Sequence, residues 1–140
     1  MRRTLTLAVL LAALFCISTD ASAQRPKMLR ATAVSRPPVI DGDLSDPVWR
    51  VAGIAAGFIN DADGKRAIHP SFAYVLSGLE HLYLAFRCVE PEPKQMLATK
   101  NVDNVNIWGD DCMEMNFDPT GGMTDIYQLT VNPLGTKELE

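Results

Sequence analysis

The segment Asn106-Ile107-Trp108-Gly109-Asp110-Asp111-Cys112-Met113-Glu114-Met115 concentrates the side chains best suited to forming a binding surface. Trp108 precedes a glycine and two aspartates, the setting of a polar loop that enters a strand. An exposed indole there offers a flat apolar platform to the C–H face of a sugar ring. Neighbouring carboxylates, Asp111 and Glu114, can accept hydrogen bonds from its hydroxyls. Folded back onto a sheet edge, the same indole would serve packing alone. Alternation from Asp111 to Asp118 turns Met113, Met115 and Phe117 inward and Cys112, Glu114 and Asn116 outward. Trp108 and Glu114 are therefore expected on one surface.

The inventory for catalysis is thin. His69, before Pro70 in a loop, and His81, at a strand start, are the only histidines, and both suit surface or structural roles. The serines lie in turns without a nucleophile-elbow pattern. Two carboxylates could hydrolyse a glycosidic bond only at a defined separation, which residue order does not encode, so the chain reads as non-catalytic. Glu90, Glu92 and Asp103, with Asn101 and Asn104, form an oxygen-rich stretch whose candidate calcium ligands are Glu90 and Asp103, although no EF-hand spacing is present. Asp41 and Asp43 suit calcium or Asx turns equally well. No CxxC or CxxCH spacing occurs.

Charge and composition set the frame for these residues. Across 140 residues, 13 basic and 17 acidic side chains leave a net charge of −4. A phosphate-binding face needs a basic excess, so nucleic acid is excluded as the main partner. With 47% hydrophobic and 21% charged residues, the composition is that of a globular chain. Met1–Ala23 reads as an export signal: Arg2 and Arg3, an apolar run from Leu5 to Ile17, and Ala21-Ser22-Ala23 as a cleavage site. That run is too short to span a hydrocarbon core of roughly 30 Å, and no later stretch approaches spanning length. A secreted or periplasmic protein without a membrane span, cleaved after Ala23, is expected. Bulky Phe15 ahead of Cys16 argues against lipidation.

The elements that must position the candidate residues are β-strands. Residues 24–37 form an extended lead in which Leu29, Ala31 and Ala33 alternate. Asp41-Gly42-Asp43 is a turn. Ser45 or Asp46 ahead of Pro47 caps a helical turn over residues 46–52, with Trp49 in the core. Gly53–Gly57 is small and loose. Residues 72–76 and 81–89 form a hairpin about Ser77-Gly78, with Leu82, Leu84, Phe86 and Cys88 on the core face. Pro91 and Pro93 end it, and a long connection over 94–107 carries a helical turn near Gln95–Thr99. Strands over 111–118 and 125–131 follow. Cys88 falls on an inward face and Cys112 on an outward one, so no disulfide joins them. Thr136–Glu140 is too short to pair and pack, and the domain is expected to be incomplete at its C-terminus. Short strands, frequent turns and no sustained helical period predict an all-β antiparallel sandwich.

Four pieces in order, Pro38–Trp49, Leu82–Phe86, Trp108–Asp118 and Tyr127–Asn132, resemble the family 9 carbohydrate-binding modules. The resemblance implies a secreted, jelly-roll-like β-sandwich over residues 38–140 with bound calcium, attached to enzymes that degrade xylan and other glycans. Its partner would be a poly- or oligosaccharide of the xylan or cellulose kind, with a covalently linked catalytic domain. Such modules hold sugars between two tryptophans. Trp108 looks like one of them, and Glu114 and Gln128 look like polar contacts beside it. Thr130 departs from the pattern, standing where some members place a sugar-contacting arginine. The second tryptophan would lie in a later part of the family domain. Two alternatives remain open: an N-terminal structural or interaction domain of a larger exported protein, and a sandwich holding b-type haem. For the latter, His69, His81, Met113, Met115 and Met123 would be potential axial ligands.

Overall fold

A computed structural model describes residues 28–140. The export signal and the first residues of the lead lie outside the described residues. Seven strands follow in chain order: β1 (Thr32–Ala33), β2 (Gly53–Ala56), β3 (Ser71–Ser77), β4 (Leu82–Cys88), β5 (Met113–Phe117), β6 (Tyr127–Val131) and β7 (Lys137–Leu139). Two 3-10 turns, Pro47–Val51 and Pro93–Gln95, are the helical elements among the described residues. The chain is all-β.

The strands form two sheets. Aromatic and β-branched residues from Phe72 to Val75 suit a pleated surface, and β3 is the centre of the first sheet. It pairs antiparallel with β4 along its whole length, Ser71 to Cys88 and Ser77 to Leu82. Its other edge is divided between two partners. Antiparallel β2 lies against residues 72–75, and parallel β1 lies against Leu76 and Ser77. The second sheet is an antiparallel meander of β5, β6 and β7.

The turn before β2 forms as its residues dictate. Asp46 accepts from the Val48 amide at 3.2 Å and, through its other oxygen, from the Val39 amide at 3.2 Å. Pro47 supplies the first helical residue without a wasted donor. This turn buries Trp49 to 4% exposure, as expected. The second turn falls at Pro93–Gln95 rather than at 95–99, because proline presets the helical φ of a first position.

Two strands depart from the sequence expectation. Gly53–Gly57 is not loose: Gly53–Ala56 is β2. Its small residues admit a close neighbour, since a Cβ built on Gly53 would stand 2.2 Å from the Arg30 carbonyl oxygen. Thr136–Glu140 is not too short to pair either. Lys137–Leu139 forms β7 on β6, and Gln128 and Glu140 exchange backbone hydrogen bonds at 2.9 and 3.0 Å. The two-residue reversal through Pro133 and Leu134, closed by Gly135 at φ +81°, lets strand pairing begin at once.

Burial in the first sheet also differs from simple alternation. Registered partners point to one face, so Leu82, Leu84, Phe86 and Cys88 do share a face, with Val75 and Ala73. Yet Leu84 and Phe86 are half-buried, Leu82 and Cys88 are exposed, and the fully buried Leu76 lies on the opposite face with Tyr74 and Tyr83. Both faces of β3 are covered in part, and a period-2 pattern marks only one. In β5 the alternation holds: Met113, Met115 and Phe117 are half-buried, while Glu114 and Asn116 are exposed.

Cys88 and Cys112 are free thiols, as expected, but their exposures are reversed. Cys88 is exposed and Cys112 half-buried. Cys88 ends an edge strand, where little remains to cover it. Its Sγ touches the Met113 Sδ at 3.4 Å, which joins the Phe86 face of the first sheet to the Met115 face of the second.

Replacing Gly53 should break the lead away from β2. Gly53→Val is expected to lower unfolding free energy by about 1–3 kcal/mol through overpacking against a backbone carbonyl, measured by urea denaturation. A variant as stable as the parent would show that the Arg30 segment does not dock there.

Candidate functional site

The loop that carries Trp108 is held by one carboxylate. Asp110, 7% exposed, accepts from the Thr99 amide at 2.9 Å, the Thr99 hydroxyl at 2.8 Å and the Lys100 amide at 2.9 Å. A fourth bond comes from the Asn132 side-chain amide at 2.9 Å. Asn132 Nδ2 also donates to the Lys100 carbonyl at 2.7 Å, and the Thr136 hydroxyl donates to that same oxygen at 2.8 Å. On its other side, Asn132 Oδ1 accepts from the Leu134 and Thr136 amides, each at 3.0 Å. The long connection is thereby fastened to the β6–β7 turn by a fully satisfied, buried polar cluster. Burial opposes ionisation of Asp110, but the Lys100 and Thr99 amides, Asn132 and the Thr99 hydroxyl outweigh it. They hold the carboxyl well below the usual carboxylate range.

Further ties complete the loop. Asp103 Oδ1 accepts from the Lys137 amide at 2.9 Å, and the Asn104 amide donates to the Lys137 carbonyl at 2.8 Å. The Ile107 amide donates to Glu138 Oε2 at 3.2 Å, and the Ile107 side chain is fully buried. Trp108 follows immediately. Its amide donates to Asn106 Oδ1 at 3.2 Å in an Asx turn, and its residue surface is 46% exposed.

Strand register relates that loop to Glu114. Glu114, Thr130 and Glu138 form one row across the second sheet, so all three project from the same face. Adjacent strands lie about 4.8 Å apart, which places Glu114 and Glu138 about 10 Å from each other. The loop bonded to Glu138 thus runs over the face from which Glu114 projects. Asn116 and Gln128 form the next row. Glu114 Oε1 accepts from Asn116 Nδ2 at 2.6 Å, and Gln128 is half-buried. This face is a polar platform bordered at one end by the Trp108 loop.

The remaining candidates sit elsewhere. Asp111 exchanges bonds with the Leu97 backbone, its Oδ2 accepting at 2.7 Å and its amide donating at 2.8 Å. It opens into a cleft of about 330 Å3 shared with His69, Glu90 and Met96, so it is not brought to the Trp108 platform by any shared contact. Glu90 Oε1 accepts from the Glu92 amide at 2.7 Å, whereas Asp103 is committed to Lys137. These two proposed calcium ligands share no contact, and among the described residues no three histidine, cysteine or acidic side chains are grouped to hold a metal ion. His81 lines a different cleft, with Tyr83 and Leu79, so the two histidines do not face one space. Asp41 and Asp43 accept from the Asp43 and Ser45 amides at 2.9 and 2.8 Å, in Asx turns.

Sequence reasoning passed over Asp110, Asn132, Thr136 and Glu138. The Asp110-Asp111 pair and Asn132-Pro133 signalled a loop and a turn, but their partners lie 10 to 36 residues away in sequence. No known protein-family model matches the chain, and no curated protein or solved structure shows significant similarity to it.

Two outcomes follow from the cluster. Asn132→Ala leaves the Leu134 and Thr136 amides and the Lys100 carbonyl short of partners, and should cost about 1–3 kcal/mol in chemical denaturation. Asp110 has a lower pKa folded than unfolded, so its contribution is complete above about pH 4. It drains away as pH falls towards the folded value. Asp118, held low by the Met123 amide above all, acts in the same direction. Stability should therefore fall below about pH 4, with a shallower fall in Asp110→Asn. An equal acid dependence in that variant would remove Asp110 from this role.

Proposed function

We propose that this chain is a non-catalytic carbohydrate-binding module, a jelly-roll-like β-sandwich that recognises plant-cell-wall glycans of the xylan or cellulose kind. The observation that carries this reading is Trp108, a large aromatic residue 46% exposed on a loop anchored through Asp110. The flat face of its indole matches the apolar face of a pyranose ring. Prior fixation of the loop limits the ordering penalty that binding would otherwise incur. Glu114, Asn116 and Gln128, on the sheet face that the loop crosses, would supply the acceptors and donors that a polyhydroxylated ligand requires. In the sandwich reading, the Met113 face of the second sheet turns towards the first, and the part of the Glu114 face that the Trp108 loop does not cover would be offered to ligand.

The export signal read in Met1–Ala23 would suit the same use, since a binding module of this kind works where polymeric glycan is found. A linked or partner glycoside hydrolase would perform the hydrolysis, with this module concentrating it on the polymer through effective local concentration.

Isothermal titration of the purified chain with xylo- and cello-oligosaccharides tests the reading. Binding should be detectable, and Trp108→Ala should weaken it by about 1–3 kcal/mol, the loss typical of a stacked aromatic anchor. Glu114→Gln should weaken it less, because the amide keeps one acceptor. Unchanged affinity in Trp108→Ala, or no binding of either oligosaccharide series by the parent chain, would overturn it.

A further inference from the structure

Sulfur from two sheets meets at one point. Cys88 Sγ, at the end of β4, lies 3.4 Å from Met113 Sδ, at the start of β5, across 25 positions of sequence. Cys88 is exposed, so the pair is open to solutes from one side, while Met113 is half-buried and held in a strand. The neighbouring backbone is well tied. The Val89 amide donates to the Pro70 carbonyl at 3.0 Å, bringing the His69-Pro70 segment beside Cys88. Leu97 and Asp111 exchange bonds, bringing Met96 beside the approach to β5. His69 and Met96 accordingly line one cleft. A thiol and a thioether in contact are a soft donor pair, and the cleft nearby, which Glu90, Glu92 and Asp111 also line, is not part of it.

We propose that Cys88 and Met113 form a binding site for a soft monovalent cation, Cu(I) or its redox-silent analogue Ag(I). A thiolate paired with a thioether suits such ions, whereas calcium and magnesium take oxygen ligands and zinc is held by thiolate, imidazole or carboxylate rather than by thioether sulfur. Metal–sulfur bonds of about 2.3 Å reach both atoms at their present separation with a bent angle at the metal. A small rotation about the Met113 side chain, whose three torsions are soft, opens that angle. On coordination Cys88 releases its thiol proton to solvent; copper remains Cu(I) and no electron is transferred. The site is independent of the Trp108 platform and of the carbohydrate reading.

The test is an anaerobic titration of the reduced chain with Cu(I) in competition with a chromophoric Cu(I) chelator, repeated with Ag(I) by calorimetry. One ion per chain is expected. Cys88→Ser and Met113→Leu should each weaken binding by at least about tenfold, the loss that even a residue merely orienting a ligand produces. Cys112→Ser, whose sulfur lies outside the contact, should leave affinity unchanged. In the unmutated chain labelled at its methionine methyl groups, the Met113 signal should shift on adding Ag(I), while those of Met28 and Met123 stay in place. That readout needs no variant to fold. Unaltered affinity in Met113→Leu, an unmoved Met113 methyl signal, or an equal loss in Cys112→Ser would each overturn the site.

Discussion

The buried carboxylate of Asp110 is the interaction on which the second half of the chain depends. Residues between β4 and β5 contain little that could hold them by packing, since Ile107 is their only fully buried large apolar side chain. Polar bonds do the holding instead. Four donors converge on Asp110, and Asn132 links the same point to the turn that starts β7. In a medium of low polarity such bonds are strong only if every member is paired, and no buried side-chain polar atom among the described residues lacks a partner. The geometry of the loop is thus set by hydrogen bonds whose directions are specific, rather than by apolar contacts that tolerate sliding.

That constraint has a functional side. A binding loop must be exposed, yet an exposed loop is usually the least ordered part of a fold. Here Trp108 stands between the buried Ile107 and the buried Asp110, one residue after the first and two before the second. Its exposure is therefore a property of a fixed segment. Anchoring through a carboxylate also links the loop to acidity, because protonation removes acceptor strength from all four bonds together.

The contact between the sheets follows a different rule. In the first sheet, burial does not follow strand alternation, because β3 has cover on both faces and its edge is shared by two short strands. The lead segment reaches it only because Gly53 has no side chain where the Arg30 carbonyl passes. In the second sheet, alternation is obeyed in β5, with apolar Met113, Met115 and Phe117 on one side and Glu114 and Asn116 on the other, but in β6 the polar-face Thr130 is buried because the β4–β5 connection covers it. Cys88 and Met113 mark where the two regimes meet.

Local chemistry made a good part of this legible. The hairpin from Ser71 to Cys88, the parity of β5, the capped turn at Pro47 with its buried tryptophan, and the exposed tryptophan at 108 all rest on interactions within a few residues or on a period of two. What residue order could not decide was long-range pairing. β2 and β7 are made of weak strand formers, glycine and alanine in one and two charged residues in the other, and they are strands because a neighbouring edge offers them hydrogen bonds. Asp110, Asn132 and Glu138 look like ordinary loop and surface residues until the fold brings partners from up to 32 positions away. Cys88 looks like core by parity but is exposed at a strand end, because parity assigns a face and only the tertiary structure decides what covers it.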